Sequence, residues 1–263
     1  MTDLIARDEG DILLAVDGPV ATISFNRPHR RNALSYALLT GLRDMLHAVA
    51  ASDTRVLILR GEGKDFCVGA DVGQSPDNAK AYDYETLASI YETGRLLHEM
   101  KQVTVAAVDG GCAGPGLAWA AACDFRFASD RAVFNTAFLK VGVAGEMGLA
   151  WSLLRLVGGG WARELLLFPG KFGAEQALKM GLVTRVFTAD ALHEETAAAA
   201  QTLAGYFAPS LRAAKANILS AEKLTLADFI QIEGSRHAHI AFDPARMEGL
   251  RAFAEKRDPK FEG

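Results

Sequence analysis

The chain has 263 residues, half of them hydrophobic and 23% charged, with a formal net charge of -4 at pH 7. These values are ordinary for a globular protein of one large or two small domains, and the net charge implies no basic surface, so nucleic acid is not predicted as a partner. No apolar run approaches the ~20 residues that span a bilayer, and the three cysteines lack CxxC spacing, so neither a disulfide framework nor structural zinc is predicted.

The amino-terminal stretch is acidic, which argues against a signal or transit peptide and, with the cysteine pattern, predicts a cytoplasmic protein. Ile12–Val16 and Val20–Phe25 are apolar runs separated by Asp17-Gly18-Pro19, a pattern typical of a β-hairpin. Ser35 is predicted to cap a helix in which apolar residues recur at helical spacing.

Strand-like and helix-like stretches then alternate, which predicts an α/β domain. In chain order they are the strand Val56–Leu59, the helix Glu85–Met100, the strand Val103–Val108, the helix Leu117–Ala122 and the strand Phe125–Ala128.

The pattern changes after Gly142, where helices predominate and one short strand, Val183–Phe187, interrupts them. The predicted helices are Met147–Val157, Trp161–Leu167, Ala174–Met180, Ala191–Phe207, Leu211–Ala221, Ala227–His239 and Pro244–Lys256. We predict an α/β core over residues 1–200 and a helical region over residues 201–263, with a soft boundary because no low-complexity linker separates them. Such a helical region can serve as a lid or as an oligomerisation element.

Two glycine-containing segments follow predicted strands, Phe66-Cys67-Val68-Gly69-Ala70-Asp71 and Gly110-Gly111-Cys112-Ala113-Gly114-Pro115-Gly116. Where a strand turns into a helix, free backbone N–H groups can bind a phosphate or an oxygen that gains negative charge. For the first segment, the alternative is an ordinary strand-to-helix turn in which Asp71 caps the helix. For the second segment, the alternative is a turn that only allows close packing of the following helix. The spacing does not fit a dinucleotide-binding loop.

Glu146 and Lys140 are the only charged residues between Ala132 and Leu154. A carboxylate in apolar surroundings is expected to have a raised pKa, which suits a general acid or base. The alternative is that Glu146 lies in the first turn of the helix Met147–Val157, where the helix dipole stabilises a negative charge.

Taken together, the ordered segments resemble the crotonase superfamily, which contains the enoyl-CoA hydratases and isomerases. The segments are Phe25–Pro28 with Asn32–Leu34, Phe66–Asp71, Ala106–Asp124, Ala128–Phe134, Gly173–Ala177 with Gly181–Val183, and Phe253–Arg257. The resemblance covers nearly the whole chain.

The resemblance implies an α/β fold of repeated ββα units with carboxyl-terminal helices that build a homotrimer or a dimer of trimers. It also implies an acyl-CoA thioester as substrate, with coenzyme A as part of that substrate and no covalently bound cofactor or metal. The thioester carbonyl would lie between two backbone N–H groups, one of them from Ala70. The second family position falls on Pro115, which has no N–H, so that Gly116 or a water would have to replace it.

The CoA moiety is expected to contact two arginines and one turn and to be closed in by a Phe–Lys pair, from the same or a neighbouring subunit. The matching residues are Arg30, Arg31, Ala70, Asp71, Val72, Phe253 and Lys256.

The two glutamates of the family's hydratases match Ala118 and Phe138 here, and neither side chain can transfer a proton. Glu146 matches the single glutamate of Δ3,Δ2-enoyl-CoA isomerases. The resemblance therefore favours double-bond isomerisation through a dienolate, with Glu146 as the only acid/base. Another crotonase reaction (hydration, thioester hydrolysis or carbon–carbon bond cleavage) and acyl-CoA binding without turnover remain as alternatives.

Overall fold

The computed structural model describes residues 6–71 and 84–261. Its strands are β1 (Arg7–Asp8), β2 (Ile12–Asp17), β3 (Val20–Phe25), β4 (Val56–Gly61), β5 (Val103–Val108), β6 (Gly111–Ala113), β7 (Phe125–Ser129), β8 (Val133–Asn135), β9 (Phe172–Gly173) and β10 (Arg185–Phe187). Its helices are α1 (Tyr36–Ala51), α2 (Tyr84–Glu99), α3 (Pro115–Ala122), α4 (Leu149–Leu156), α5 (Gly158–Leu167), α6 (Ala174–Lys179), α7 (Leu192–Ala204), α8 (Ala208–Ala221), α9 (Leu226–Ala241) and α10 (Met247–Glu255).

The main sheet has the strand order β1-β2-β3-β4-β5-β7-β10. Strands β1, β2 and β3 pair antiparallel, and every later pairing in this sheet is parallel. Helices connect the parallel strands, because a parallel pair needs a long crossover. The predicted α/β class and the predicted hairpin are therefore confirmed.

Helices cover both faces of the main sheet, as the side chains of strand β4 illustrate. Leu57 and Leu59 belong to the larger hydrophobic cluster, together with residues of α1, α2 and α3. Val56 and Ile58 belong to the other cluster, together with residues of α7. Successive side chains of a strand point to opposite faces, so a continuous apolar run is what a doubly covered strand requires.

The cap of α1 also forms as predicted, since the Ser35 hydroxyl accepts a hydrogen bond from the Leu38 N–H at 3.0 Å. A second sheet, in the order β6-β8-β9, was not predicted. Its strands have two or three residues, too few to show a period of two. Among the described residues, no helix combines the length and the apolarity needed to cross a membrane.

The carboxyl-terminal helices are attached to the core by a buried ion pair. The Lys215 ammonium, on α8, donates to Asp124 Oδ2 at 2.8 Å and to the Gln102 carbonyl oxygen at 2.7 Å. The Lys215 side chain is only 4% exposed. Helix α8, which belongs to the predicted helical region after residue 200, is therefore fixed to the amino-terminal ends of the core strands β5 and β7.

We predict that Lys215→Met lowers the free energy of unfolding by about 3–5 kcal/mol, because Asp124 then loses its buried cation. The matched control is Lys223→Met, which removes an exposed ion pair with Glu99 and should cost less than about 1 kcal/mol. Urea unfolding of both variants checks the prediction, and equal costs for the two would contradict it.

Candidate active site

The two glycine-containing segments lie side by side beyond the carboxyl ends of β4 and β5. Cys67 donates its N–H to the Gly111 carbonyl at 3.0 Å, and Ala113 donates to the Cys67 carbonyl at 2.9 Å. Leu34 donates to the Gly69 carbonyl at 2.9 Å, which adds the segment before α1. These backbone bonds bring together the two places where an oxyanion donor was predicted.

Asp65 connects the same two segments, although its sequence context gave no signal of a role. Its carboxylate accepts the Gly111 N–H at 2.7 Å and both Nε and Nη2 of Arg31, at 2.9 and 2.8 Å. Burial raises the pKa of Asp65, but the hydrogen bonds from Arg31 and Gly111 outweigh it and lower that pKa overall. The carboxylate therefore stays ionised and holds the two segments together.

Helix α3 begins at Pro115, in the first-turn position where proline is well tolerated. The first hydrogen bond of the helix runs from the Ala118 N–H to the Gly114 carbonyl at 3.0 Å. The N–H of Gly116 thus belongs to the first turn, whose donors have no partner within the helix. No acceptor in residues 6–71 or 84–261 takes the N–H of Gly116 or of Ala70.

Gly116 also allows α3 to approach the first glycine-containing segment, Phe66–Asp71, which we call the Ala70 segment. A β-carbon at this position would lie 2.4 Å from the Cys67 carbonyl oxygen and 2.8 Å from the Cys67 Cβ. Only a residue without a side chain fits there.

Glu146 lies in a loop of unusual backbone geometry, with φ of 122° at Gly145, 52° at Met147 and 78° at Gly148. Helix α4 begins only at Leu149, and its cap residue is Gly148, without a side-chain cap bond. The predicted start of this helix at Met147 is therefore wrong, and so is the alternative that Glu146 lies in its first turn. Left-handed backbone at a non-glycine residue such as Met147 is unfavourable and is concentrated at functional sites.

The Glu146 carboxyl group is half-buried, and the phenol of Tyr91, on α2, is near enough to influence its pKa. Burial raises the pKa of Glu146, and the hydrogen bond from Tyr91 lowers it in part, so that the net direction is upward. Tyr91 was not predicted, because nothing near it in the sequence indicates a contact with a glutamate so much later in the chain. A raised carboxyl pKa is what a proton-transferring group needs near neutral pH.

The ring of Phe138 lies between the Glu146 loop and the start of α3. A β-carbon on Gly145 would lie 3.7 Å from Phe138 Cδ2, and one on Gly114 would lie 3.8 Å from Phe138 Cε1. Phe138 is buried, and Ala118 is fully buried inside α3. Apolar atoms therefore occupy both positions that match the hydratase glutamates.

The predicted CoA-binding residues of the first half surround the Ala70 segment. Arg30 contacts both carboxylate oxygens of Asp71, with Nη2–Oδ1 at 2.5 Å and Nε–Oδ2 at 3.2 Å. Arg27 Nη2 lies 3.4 Å from the same carboxylate. The side chains of Arg30 and Arg31 remain 42% and 64% exposed, so each guanidinium keeps an edge open to solvent. Val72 lies outside the described residues.

Phe253 and Lys256 lie at the other end of the molecule's sequence, on and just after α10. Phe253 is 87% exposed, the highest value among the large hydrophobic side chains that the structure describes. Lys256 ends the helix with a left-handed backbone, φ 54°. Within the described part of this single chain, no hydrogen bond or ion pair links either residue to Ala70, Gly116 or Glu146.

The three cysteines are free and buried. Burial raises the pKa of Cys67 and of Cys123 to about 12, and it raises the pKa of Cys112 as well. The Cys67 thiol, although next to the Ala70 segment, is therefore protonated at neutral pH. None of the three buried thiols is therefore available as a thiolate at neutral pH.

Comparison with known proteins agrees with this geometry. The sequence model of the enoyl-CoA hydratase/isomerase family matches residues 16–263. The chain is 32% identical to a protein of Rhizobium meliloti (strain 1021) named probable enoyl-CoA hydratase, over 95% of this chain and 97% of that protein. It is 30% identical to the trans-2-decenoyl-[acyl-carrier-protein] isomerase of Streptococcus mutans serotype c, over 97% of this chain and 99% of that one.

The fold is likewise similar to solved structures of this group. An enoyl-CoA hydratase from Bacillus anthracis superposes with a TM-score of 0.88 at 31% identity, over 96% of this chain and 99% of that chain. The family match, the relatives and the crotonase-type fold together show that this chain belongs to the enoyl-CoA hydratase/isomerase family of enzymes.

Proposed function

We propose that the protein isomerises the double bond of a 3-enoyl thioester, with Glu146 as the single acid/base. The Glu146 carboxylate removes a proton from C2, and the electrons of that C–H bond move into a dienolate. The same carboxyl group returns the proton at C4, which places the double bond between C2 and C3. One titratable group is enough for this sequence, whereas the family's hydration requires two.

The observation that carries the proposal is the half-buried Glu146 carboxyl with its raised pKa, in a chain where Ala118 and Phe138 stand at the positions that match the two hydratase glutamates. The name of the Streptococcus mutans relative, an isomerase, supports the same chemistry.

We propose the N–H groups of Ala70 and Gly116 as the donors to the dienolate oxygen. Their lack of acceptors among the described residues supports this role. Pro115 cannot serve, and the loss of one such donor typically costs about 2.7–4 kcal/mol of transition-state stabilisation. A donor at Gly116 avoids that cost because it lies one residue further into the same turn.

We further propose that the CoA phosphates bind the open edges of Arg30 and Arg31, close to Asp71 and the Ala70 turn. Arginine suits this role because its planar guanidinium binds phosphate in a bidentate manner. Increasing salt concentration should raise KM more than it lowers kcat, and a KM insensitive to salt would contradict this assignment.

The exposed ring of Phe253 and the nearby Lys256 support an assembly in which a neighbouring copy meets α10. We propose a homotrimer or a dimer of trimers in the cytoplasm. Exposed apolar residues support burial of this face: Ile230 on α9, Phe242 directly after α9, and Leu250 on α10. Sedimentation equilibrium measures the mass directly, and a monomer at micromolar concentration would refute the proposal.

The test of the proposed function supplies a 3-enoyl-CoA and follows the conjugated 2-enoyl thioester by its ultraviolet absorbance. A parallel reaction supplies a 2-enoyl-CoA and looks for a 3-hydroxyacyl product by mass. We expect rapid isomerisation and little hydration. Fast water addition to the 2-enoyl-CoA with slow isomerisation would instead favour a hydratase.

The direction of the Glu146 pKa predicts a pH profile. The base must be ionised, and burial raises its pKa above the ordinary value of 4.5, so kcat/KM should fall as the pH drops through a value above 4.5. An acidic limb at or below the ordinary glutamate pKa would contradict the assignment of Glu146 as the base.

A further inference from the structure

Tyr91, on α2, lies one helical turn before Gly94, whose backbone packs against Met147, the residue that follows Glu146. We propose that Tyr91 is a positioning residue: its phenol holds one carboxylate oxygen of Glu146 and leaves the other free to move the proton from C2 to C4. The proposal rests on the proposed function for its chemical purpose, but the hydrogen bond itself can be tested without turnover.

Helix α2 is fixed against the Glu146 loop by a close backbone contact. A β-carbon on Gly94 would lie 2.3 Å from the Met147 carbonyl oxygen and 3.3 Å from the Met147 Cβ. The absence of a side chain at Gly94 thus lets the helix lie directly on the residue after Glu146. Tyr91 is three residues earlier and on the same face of the helix, and it lines one cavity with Gly94, Met147 and Gly148, so its phenol lies on the side of α2 that faces the Glu146 loop.

The helix is also fixed against α3, so its register relative to the site is determined. The Trp119 indole N–H donates to the Thr93 hydroxyl at 2.9 Å, and that hydroxyl donates to the Ile90 carbonyl at 2.7 Å. Trp119 and Thr93 are fully buried. Movement of Tyr91 along or around the axis of α2 would break this pair.

The basic side chains that line the cavity beside Tyr91 contact carboxylates other than Glu146. A cavity of about 400 Å³ behind the Glu146 loop is lined by Tyr91, Met147 and Trp151, and by Arg95, His98, Glu99 and Lys223. Arg95 and Lys223 both pair with Glu99, at 3.0 and 2.8 Å, and His98 contacts Glu222 at 2.9 Å. The pKa of Glu146 is raised by burial and lowered in part by the Tyr91 phenol.

The phenol remains a donor throughout the titration of Glu146. Burial, the charge of Glu146 and the hydrogen bond to it all raise the pKa of Tyr91 above its ordinary value of 10. A carboxylate fixed at one oxygen keeps a defined direction for the other, which matters because reaction rates depend steeply on the alignment of the reacting groups.

The decisive experiment compares Tyr91→Phe with the native protein, and Tyr206→Phe serves as the control. The Tyr206 side chain is 51% exposed, on the segment between α7 and α8. The protonation of Glu146 is followed in the ligand-free protein by its carboxylic acid infrared band, which is assigned by its absence in Glu146→Gln. The acidic limb of kcat/KM for a 3-enoyl-CoA is then measured on the same proteins.

Removal of the phenol withdraws a stabilising bond from the ionised carboxylate, so both the infrared midpoint and the acidic limb should move to higher pH in Tyr91→Phe. At neutral pH we expect kcat/KM to fall about tenfold, the rate equivalent of one hydrogen bond to a charged group. Tyr206→Phe should behave like the native protein in both measurements.

Each outcome has one meaning. An unchanged infrared midpoint in Tyr91→Phe overturns the positioning role, even if activity falls, because a purely structural residue would lower activity without moving the titration. A shifted midpoint without any Glu146-dependent turnover preserves the positioning role and refutes the proposed isomerase function.

Discussion

Glu146→Gln is expected to lower kcat for isomerisation by about 10²- to 10⁴-fold, the usual contribution of a positioned general acid or base. Glutamine keeps the size of the side chain and can still accept the hydrogen bond from Tyr91, but it cannot take a proton from C2. The fall should appear in kcat and in kcat/KM alike, because the lost interaction exists only in the transition state. Glu146→Ala should be at least as severe.

The same substitution should leave the protein at least as stable as before. The pKa of Glu146 is raised in the folded state, so the folded protein favours the protonated form, and the ionised carboxylate costs stability at neutral pH. That cost is recovered as the pH falls through the folded-state pKa. Glu146→Gln should therefore raise Tm slightly at pH 7, which separates lost chemistry from lost folding. Full activity in Glu146→Gln would refute the role of Glu146.

Gly116→Ala is expected to disrupt both the proposed oxyanion donor and the packing around it. The new methyl group would lie 2.4 Å from a backbone oxygen of Cys67, which a rotamer change cannot relieve, so α3 must move away from the Ala70 segment. Such overpacking typically costs about 1–3 kcal/mol of stability. Displacement of the Gly116 N–H should also lower kcat by about 10²- to 10³-fold, as for other lost oxyanion donors.

The matched control is Gly234→Ala, a substitution of the same type in helix α9. A β-carbon on Gly234 meets no atom within 4 Å, and alanine is favoured over glycine in a helix interior by about 0.8–1 kcal/mol. Unfolding by urea and steady-state kinetics on both variants check the pair. Equal free energies of unfolding and equal kcat values for Gly116→Ala and Gly234→Ala would contradict the roles given to Gly116.

Much of the fold could be predicted from the sequence because it is encoded locally. The hairpin at Asp17-Gly18-Pro19, the cap at Ser35 and the buried strand from Val103 to Val108 form as the pattern of apolar and turn residues indicates. Family resemblance then supplied the crotonase fold, which periodicity alone cannot specify beyond the α/β class.

The start of α4 could not be predicted, since the sequence after Glu146 reads as a continuous helix. The positive φ at Met147 and Gly148 delays the helix to Leu149. A glycine permits that conformation but does not require it, and the contact between Gly94 and the Met147 carbonyl that accompanies it is formed only by the tertiary fold.

The roles of Asp65 and Tyr91 near the candidate site could not be predicted, for a related reason. Asp65 and Tyr91 have side chains that are common on protein surfaces, and their roles depend on contacts with Gly111 and Glu146, which are remote in the sequence. Arg30 and Arg31 were selected through the family resemblance alone, and their pairing with Asp71 and Asp65 emerged only from the three-dimensional arrangement.

Transfer of a proton from C2 to C4 by one carboxyl group can be followed through turnover of a 3-enoyl-CoA that is deuterated at C2. We expect a 2-enoyl-CoA product in which a fraction of the molecules carries that deuterium at C4, detected by nuclear magnetic resonance after a single turnover. A product with only solvent hydrogen at C4, or a 3-hydroxyacyl-CoA as the main product, would contradict it.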